Sequence, residues 1–154
     1  MSFVTSLNLS HFRSYKHVHL KLDKRPVAIF GANGSGKTNI IEAISLFSPG
    51  RGMRRASAEA MMRRPESLGW KITGELETTD RTLEIESVSE NGTSRQVKID
   101  GKPTSQVELA KHTRVLWLIP SMDRLWTEGA ESRRRFLDRI VLSFFPKHAE
   151  HSLS

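Results

Sequence analysis

The chain has 154 residues and no cysteine, and its 24 Lys and Arg residues exceed its 17 Asp and Glu residues to give a formal net charge of +7. The missing cysteines exclude disulfides, thiolate metal sites and cysteine nucleophiles, and no apolar run approaches the roughly 20 residues that span a membrane. Because the N-terminus also lacks the pattern of a signal peptide, we expect a cytoplasmic protein that does not enter a membrane. The positive charge favours polyanionic partners, of which nucleic acid is the first candidate.

The first thirty residues predict three strands. Apolar and polar residues alternate in VTSLNLSHF and again in HVHLKL, which indicates two antiparallel strands joined near RSYK. The run VAIF at 27–30 is apolar throughout, which is typical of a buried central strand.

A glycine-rich loop follows this run and leads into a helix. The loop, GANGSGKT at 31–38, matches the pattern G-x-x-x-x-G-K-[ST] without deviation. Apolar residues then recur at helical spacing until Pro49 and Gly50 end the helix: Ile40, Ile41, Ala43, Ile44 and Phe47.

The rest of the chain predicts a basic loop, a small sheet and two more helical segments. SPGRGMRRAS at 48–57 is the basic loop, and a short helix is expected at 58–63. Alternating runs separated by Asn-Gly and Asp-Gly predict an antiparallel meander from Trp70 to Asp100. A helical turn is expected at 106–111, a second buried strand at VLWLI (115–119), and a helix from Gly129 to Pro146.

The glycine-rich loop carries the clearest chemical signal. Glycines allow successive backbone N–H groups to turn toward phosphate oxygens, and the helix after the loop directs its positive end at the same anion. Lys37 can reach the β- and γ-phosphates of ATP, and the Thr38 hydroxyl is a ligand for Mg²⁺. We therefore predict an ATP and Mg²⁺ site formed by Gly31, Ala32, Asn33, Gly34, Ser35, Gly36, Lys37 and Thr38.

Two further segments are rich in arginine. Residues 51–64 hold five arginines against one glutamate, and such a cluster can neutralise DNA phosphates: Arg51, Arg54, Arg55, Arg63 and Arg64. The alternative is a solvated basic face or pairing within the molecule. In ESRRRFLDRIVLSFF, one helical stripe is apolar and predicts core packing: Phe136, Leu137, Ile140, Val141 and Phe144. Arg134 and Asp138 are spaced to pair, and the role of Arg133 to Arg135 stays open.

Four segments of the chain resemble one family. LNLSHFRSY, GANGSGKTNIIEAI, SPGRGMRR and IPSMDRLWTEGAESRRRFLD are similar to the N-terminal part of the RecF family of bacterial recombination-mediator ATPases. The resemblance implies an ATPase head of the ABC/SMC type that binds ATP and dimerises around it. It also implies binding of DNA at single-strand/double-strand junctions and, with partner proteins, loading of recombinase at gaps. By the same resemblance Arg13 and Ser14 lie beside the nucleotide; the alternative is a surface arginine and serine in a turn.

The sequence also departs from this pattern. Related ATPases have an acidic residue or Gln after the proline that follows the second buried strand, whereas Ser121 follows Pro120 here. Asp123 could supply the Mg²⁺ ligand instead, or could be an ordinary acidic residue at a helix start. No apolar run ends in Asp-Glu and no LSGGQ-like stretch occurs, so we expect little or no ATP hydrolysis by this chain alone.

These observations predict an α/β fold: an incomplete P-loop NTPase head of the ABC/SMC type with an antiparallel meander attached to the nucleotide-binding core. Its expected parts are 1–69 with the loop and basic segment, 70–104 with the meander, and 105–154 with a strand and the start of a helical lobe. The alternatives are a different SMC-like head, such as a nuclease-associated one, or a non-catalytic DNA-binding module that retains the loop.

Overall fold

A computed structural model describes residues 2–120, 122, 127 and 129–145 of the chain. Six antiparallel strands form one sheet in the order β2-β1-β3-β4-β5-β6. The strands are β1 (Phe3–Phe12), β2 (Tyr15–Lys21), β3 (Gly69–Glu77), β4 (Thr82–Glu90), β5 (Gln96–Ile99) and β6 (Lys102–Thr104). The helices are α1 (Lys37–Ser45), α2 (Ala58–Met61), α3 (Gln106–His112) and α4 (Ala130–Phe144).

The predicted hairpin and meander are both present, and they belong to the same sheet. β1 pairs with β2 on one side, with Leu7 opposite Leu20, and with β3 on the other, with Leu9 opposite Ile72. Asp100 and Gly101 join β5 to β6 with φ of 50° and 74°, the left-handed pair that a two-residue hairpin turn requires. The meander is therefore an extension of the first hairpin, because β1 lies between β2 and β3.

The helix after the glycine-rich loop packs its apolar residues against this sheet. Phe47, just beyond α1, is buried, and a Cβ added to Gly74 of β3 would lie 2.5 Å from the Phe47 ring. The glycine thus makes room for an aromatic ring on the sheet surface. The core contains Leu7, Leu9, Phe12, Ile40, Ala43, Leu46, Phe47, Met61, Trp70, Ile72, Leu76, Leu83, Ile85, Val97 and Leu109.

The two predicted buried strands are wrong. Residues 27–30 and 115–119 have no strand conformation, and no described strand pairs with either run. Phe30 is 92% exposed and Leu118 is 79% exposed, while Trp117 alone of the second run is buried. A strand requires backbone hydrogen bonds to a neighbouring strand. An apolar run that has no such neighbour therefore does not form a strand, even when its composition favours one.

The short helices agree with the predictions, and the packing of the last helix does not. α2 ends at Met61, two residues before the predicted end, and α3 covers the predicted turn at 106–111. α4 begins and ends close to the expected bounds, but Leu137 and Phe144 of its predicted core stripe are exposed. Within the described part of the chain, no helix has the length and apolar composition needed to cross a membrane.

Candidate functional site

The glycine-rich loop, residues 31–38, ends directly in the first turn of α1. Gly36 precedes the helix with φ of 93°, a left-handed conformation that residues with a side chain rarely adopt. A Cβ at Gly36 would also lie 2.6 Å from the Tyr15 hydroxyl oxygen and 2.9 Å from Ser14 Oγ. This position therefore requires glycine for both conformation and space.

The loop leaves several backbone donors available to a ligand. The Ser35 amide donates to the Ala32 carbonyl at 3.3 Å, and the Asn39 amide donates to the Gly36 carbonyl at 2.8 Å. In the part of the chain that the structure describes, the amides of Gly34, Gly36, Lys37 and Thr38 donate to no backbone or side-chain acceptor. Consecutive free N–H groups at a helix start form the kind of cradle that binds phosphate.

Lys37 adds a cation to this cradle. Its ammonium group donates to the carbonyl oxygens of Gly31 at 2.7 Å and Ala32 at 2.6 Å, so the side chain folds back over the loop. Both acceptors are neutral, and no described carboxylate forms an ion pair with Lys37. The positive charge is therefore left uncompensated beside the free amides, and the residues present fit the phosphate groups of a nucleotide.

The structure brings the turn between β1 and β2 next to the loop. The Tyr15 hydroxyl donates to the Ser35 carbonyl at 3.3 Å, and Asn39 Nδ2 donates to Ser14 Oγ at 2.9 Å. Ser14, predicted to lie beside the nucleotide, is thus held by the first turn of α1. Tyr15 and Asn39 were not predicted as site residues, because their contacts join segments that are distant in sequence.

Arg13 lies in the same turn, but its guanidinium faces a carboxylate. Its Nε donates to Glu42 Oε2 at 2.9 Å, and one terminal nitrogen donates to Glu42 Oε1 at 2.6 Å. The other terminal nitrogen donates to the Ala60 carbonyl at 2.6 Å. The Glu42 side chain is only 1% exposed, so its charge depends on this bidentate partner.

Glu42 also holds one of the predicted DNA-contacting arginines. A terminal nitrogen of Arg54 donates to Glu42 Oε2 at 2.9 Å and to Asn39 Oδ1 at 3.0 Å. The sequence contains one signal for this cluster. Glu42 stands among the apolar residues of α1, and a carboxylate buried there needs a cationic partner. Of the two interpretations offered for this arginine, DNA contact and pairing within the molecule, the structure shows an ion pair between Arg54 and Glu42.

The other four arginines of this segment fall into two groups. One terminal nitrogen of Arg63 donates to the Ser14 carbonyl at 3.4 Å, and its Nε lies 3.6 Å from Glu66 Oε1. Arg51, Arg55 and Arg64 are exposed and form no ion pair with any described acidic residue. The exposed group is the one free to meet an external anion.

The far end of α1 is tied to the sheet and to α3. Terminal nitrogens of Arg95, in the loop before β5, donate to the carbonyls of Leu46 at 3.1 Å and Ser48 at 3.4 Å. Burial of this side chain lowers the pKa of Arg95 to about 10. Thr113 Oγ1 donates to the Phe47 carbonyl at 2.6 Å. These contacts hold the C-terminal end of the helix whose first turn carries the free amides.

Of the two predicted Mg²⁺ ligands, Thr38 and Asp123, only Thr38 lies among the residues that the structure describes. Thr38 is exposed in the first turn of α1, next to Lys37 and the free amides, where its hydroxyl can reach a metal ion bound to phosphate. Asp123 lies outside the described residues. Both metal assignments therefore stay predictions.

Several known proteins resemble this chain in sequence and in fold. A family model described as the RecF/RecN/SMC N terminal domain matches residues 3–118. The DNA replication and repair protein RecF of Rhizobium rhizogenes is 47% identical over 154 residues, which cover 97% of this chain and 41% of that protein. The chain thus spans well under half the length of the curated relatives it matches.

Solved structures of RecF share the fold. A structure described as the recombination mediator protein RecF-ATPrS in the RecFOR pathway matches with a TM-score of 0.84 and 24% identity, covering 92% of this chain and 38% of that one. A second, described as RecF-ATP in the same pathway, matches with a TM-score of 0.81 and 25% identity, covering 92% and 39%. These likenesses confirm the predicted fold class, a P-loop ATPase head of the ABC/SMC type.

Proposed function

Because this chain belongs to the RecF/RecN/SMC N-terminal domain family and matches curated RecF proteins, we propose that it is the ATP-binding part of a RecF-type DNA replication and repair protein. One observation carries this proposal: the free amides of Gly34, Gly36, Lys37 and Thr38 converge with the uncompensated Lys37 charge at the start of α1. That arrangement suits the phosphates of ATP, and the RecF-ATP structure is a relative in which a nucleotide is present.

The loop, Lys37, Thr38 and the β1–β2 turn would each have a separate role in binding the nucleotide. The loop amides donate to the phosphate oxygens, and Lys37 exchanges its two carbonyl acceptors for the more favourable interaction with an anion. Thr38 would hold Mg²⁺ together with phosphate oxygens, and the metal would neutralise charge between the phosphates. Because Arg13 forms an ion pair with Glu42, it would hold the β1–β2 turn in place beside the nucleotide. Ser14 of that turn would stay within reach of the nucleotide.

The test is a titration of the chain with ATP and Mg²⁺. We expect saturable binding, and we expect Lys37→Ala to weaken it by roughly ten- to a hundred-fold, since a hydrogen bond to a charged group contributes about 1.5–3 kcal/mol. Lys102→Ala, which removes an exposed lysine of β6, is the matched control and should bind like the unaltered chain. If the unaltered chain binds no ATP, the nucleotide proposal is wrong.

We further propose that the chain contacts DNA through the arginines that follow α1. Arg51, Arg54, Arg55, Arg63 and Arg64 give residues 51–64 a local excess of positive charge, and Arg51, Arg55 and Arg64 are exposed without an ion pair among the described residues. Single-stranded DNA and gapped duplex are the proposed ligands, with junctions between single and double strands as the preferred sites. The family membership and the net charge of +7 support a polyanionic ligand.

Salt dependence is the measurement that tests the arginines. Replacing Arg51, Arg54 and Arg55 with Ala should weaken DNA binding and reduce the slope of log K against log [salt] by about 0.9 for each phosphate that the variant no longer neutralises. Arg81→Ala, an exposed arginine outside the segment, controls for a general reduction of charge. An unchanged slope in the triple variant would remove these residues from the DNA interface.

In the longer protein, we propose ATP-dependent dimerisation, slow DNA-dependent ATP hydrolysis and, with partner proteins, loading of recombinase at gaps in the cytoplasm. The RecF relatives support this assignment. Sedimentation with ATP and with ADP tests the dimer: a mass that does not change with ATP would contradict it.

A further inference from the structure

The loop that carries the free amides contains an asparagine directly followed by a glycine, Asn33 and Gly34. The two residues are the centre of a four-residue turn, in which the Ser35 amide donates to the Ala32 carbonyl at 3.3 Å and Gly34 has φ of 82°. Asparagine is among the chemically least stable residues. It is least stable before glycine, because glycine has no side chain that shields its backbone nitrogen.

The structure leaves both residues open to solvent. Asn33 and Gly34 are exposed, and a Cβ added to Gly34 would meet no atom within 4 Å. Among the residues that the structure describes, none forms a hydrogen bond with the Asn33 side chain, and the Gly34 amide donates to no acceptor. Neither the Gly34 nitrogen nor the Asn33 side chain is therefore held by a hydrogen bond of its own.

From this placement we propose that Asn33 is a self-modification site, which deamidates while the loop holds no nucleotide and whose product no longer binds ATP. The Gly34 nitrogen loses its proton to the solvent, and its electron pair attacks the side-chain carbon Cγ of Asn33. The bond from Cγ to the side-chain nitrogen breaks, that nitrogen takes up a proton and leaves as ammonia, and a succinimide ring remains. Water then opens the ring at either carbonyl, which gives an aspartyl or an isoaspartyl residue at position 33.

The product places a negative charge where the loop receives phosphate. The free amides and the Lys37 ammonium favour an anion, and a carboxylate at position 33 repels the phosphates of the nucleotide. The isoaspartyl form also adds a methylene group to the backbone, which moves the Gly34 amide away from its neighbours. We therefore expect the modified chain to bind ATP about ten-fold more weakly or worse. This part of the inference rests on the proposed function, whereas the deamidation itself does not.

Bound nucleotide protects Asn33 from this reaction. The group that attacks is the Gly34 nitrogen after it has lost its proton. When that amide donates to a phosphate oxygen, the hydrogen bond retains the proton and restricts the turn. A chain without nucleotide thus loses its binding site with time, and a chain with nucleotide keeps it.

A second Asn-Gly pair in the same chain serves as an internal control. Asn91 and Gly92 follow β4 in a turn that is closed by a hydrogen bond of 2.9 Å from the Thr93 amide to the Glu90 carbonyl. A Cβ added to Gly92 would lie 3.3 Å from Met62 Cε, so this turn packs against another segment of the chain. We expect slower deamidation here than in the loop, and no effect of nucleotide.

The experiment incubates the unaltered chain for days at mildly alkaline pH in a buffer without phosphate. The three samples contain no ligand, ATP with Mg²⁺, or adenosine with Mg²⁺, and peptide mapping by mass spectrometry measures deamidation at each asparagine. Without ligand, Asn33 should react faster than Asn91. ATP should slow the reaction at Asn33 several-fold and leave Asn91 unchanged, while adenosine, which has no phosphates, should protect neither. The fraction of chain that binds ATP should fall in step with the fraction of intact Asn33.

Three variants make the result specific, each checked for its fold by circular dichroism. Asn33→Asp places the carboxylate directly and should weaken ATP binding by about ten-fold or more before any incubation. Asn33→Gln keeps an amide but would have to form a larger, less favourable ring, so its affinity for ATP after incubation should equal its affinity before. Asn91→Gln should lose ATP binding at the same rate as the unaltered chain.

The outcomes separate this inference from the proposed function. If Asn33 reacts no faster than Asn91 in the chain without ligand, the inference is wrong, and the proposed function stands as long as the chain binds ATP. If ATP binds but does not slow the reaction at Asn33, or if the modified chain binds ATP as tightly as the intact one, the inference is again wrong alone. If the freshly prepared chain binds no ATP, the proposed function is wrong and the inference falls with it.

Discussion

Gly36 shows how one residue can serve both the conformation and the chemistry of the site. Its φ of 93° and the proximity of Tyr15 and Ser14 leave no room for a side chain. We expect Gly36→Ala to destabilise the chain by roughly 1–3 kcal/mol, through backbone strain and displacement of the Tyr15 ring, and to abolish ATP binding. Urea unfolding followed by an ATP titration measures both effects.

Gly34 provides the control for this prediction. It lies in the same loop with φ of 82°, but a Cβ added there would meet no atom within 4 Å. Gly34→Ala therefore tests strain without a clash, and it should cost less stability than Gly36→Ala. Equal destabilisation of the two variants would show that the proximity of Tyr15 and Ser14 does not matter.

At the scale of elements, a row of charges links three strands on the face of the sheet that carries no core residues. Glu86 of β4 accepts from Lys71 of β3 and lies 3.1 Å from the ammonium group of Lys98 of β5. Burial alone would raise the pKa of Glu86, but the hydrogen bonds from Lys71 and Lys98 outweigh it and lower the pKa below its ordinary value of 4.5. Both ion pairs are therefore strongest while this carboxyl is ionised.

The lowered pKa gives a stability effect with a definite sign. A carboxyl whose pKa is lower in the folded chain stabilises it above the unfolded-state value, near 4.5, and this contribution disappears as pH falls through the folded-state pKa. Glu86→Gln should thus be less stable than the unaltered chain at pH 7, and the difference should shrink below pH 4.5. Urea unfolding across this pH range is the measurement.

The neighbouring Glu84 is the matched control for Glu86. It lies two residues away on the same strand and face, and it forms no ion pair with any basic residue that the structure describes. Glu84→Gln should therefore change stability less at pH 7 than Glu86→Gln does. A Glu86→Gln difference that does not depend on pH would contradict the role of the two lysines.

Local and non-local features of the fold differ in how far the sequence predicts them. The Asp100-Gly101 turn, α3 and the glycine-rich loop were predictable because each depends on neighbouring residues. The pairing of β1 with β3 was not, since β2, α1 and α2 all lie between these strands in the chain and no local pattern specifies such a pairing. The strand predicted at 27–30 failed for the related reason that pairing partners, as well as composition, decide a strand.

The candidate site likewise combines local features, which the sequence predicts, with non-local contacts, which it does not. Lys37 and the glycines of the loop were predicted as site residues from their spacing, because a phosphate-binding loop of this kind is a continuous stretch of chain. The Glu42 cluster was not identified, because its arginines come from the β1–β2 turn and the basic loop at 48–57. Arg54 illustrates the difference: its charge predicted an interaction with DNA, and its position adds an ion pair with a buried carboxylate.

At the scale of the whole molecule, the sheet buries one core while five apolar side chains of two other runs stay at the surface. Residues 27–30 and 115–119 include Val27, Ile29, Phe30, Leu116 and Leu118, all of them exposed. Apolar surface of this kind is unfavourable in water and favours association with other apolar surface. The core beneath the sheet does not depend on these residues, because none of them belongs to it.

This separation predicts that the exposed runs can be made polar while the fold is kept. Because Phe30 and Leu118 are 92% and 79% exposed, the double variant Phe30→Ser, Leu118→Ser should bind less of a dye that reports apolar surface and should associate less in sedimentation. Its free energy of unfolding should equal that of the unaltered chain, since these side chains contribute little buried area. Ile72→Ser, at a fully buried position of β3, is the contrasting variant and should unfold the chain. A lower stability of the double variant would mean that these runs belong to the core after all.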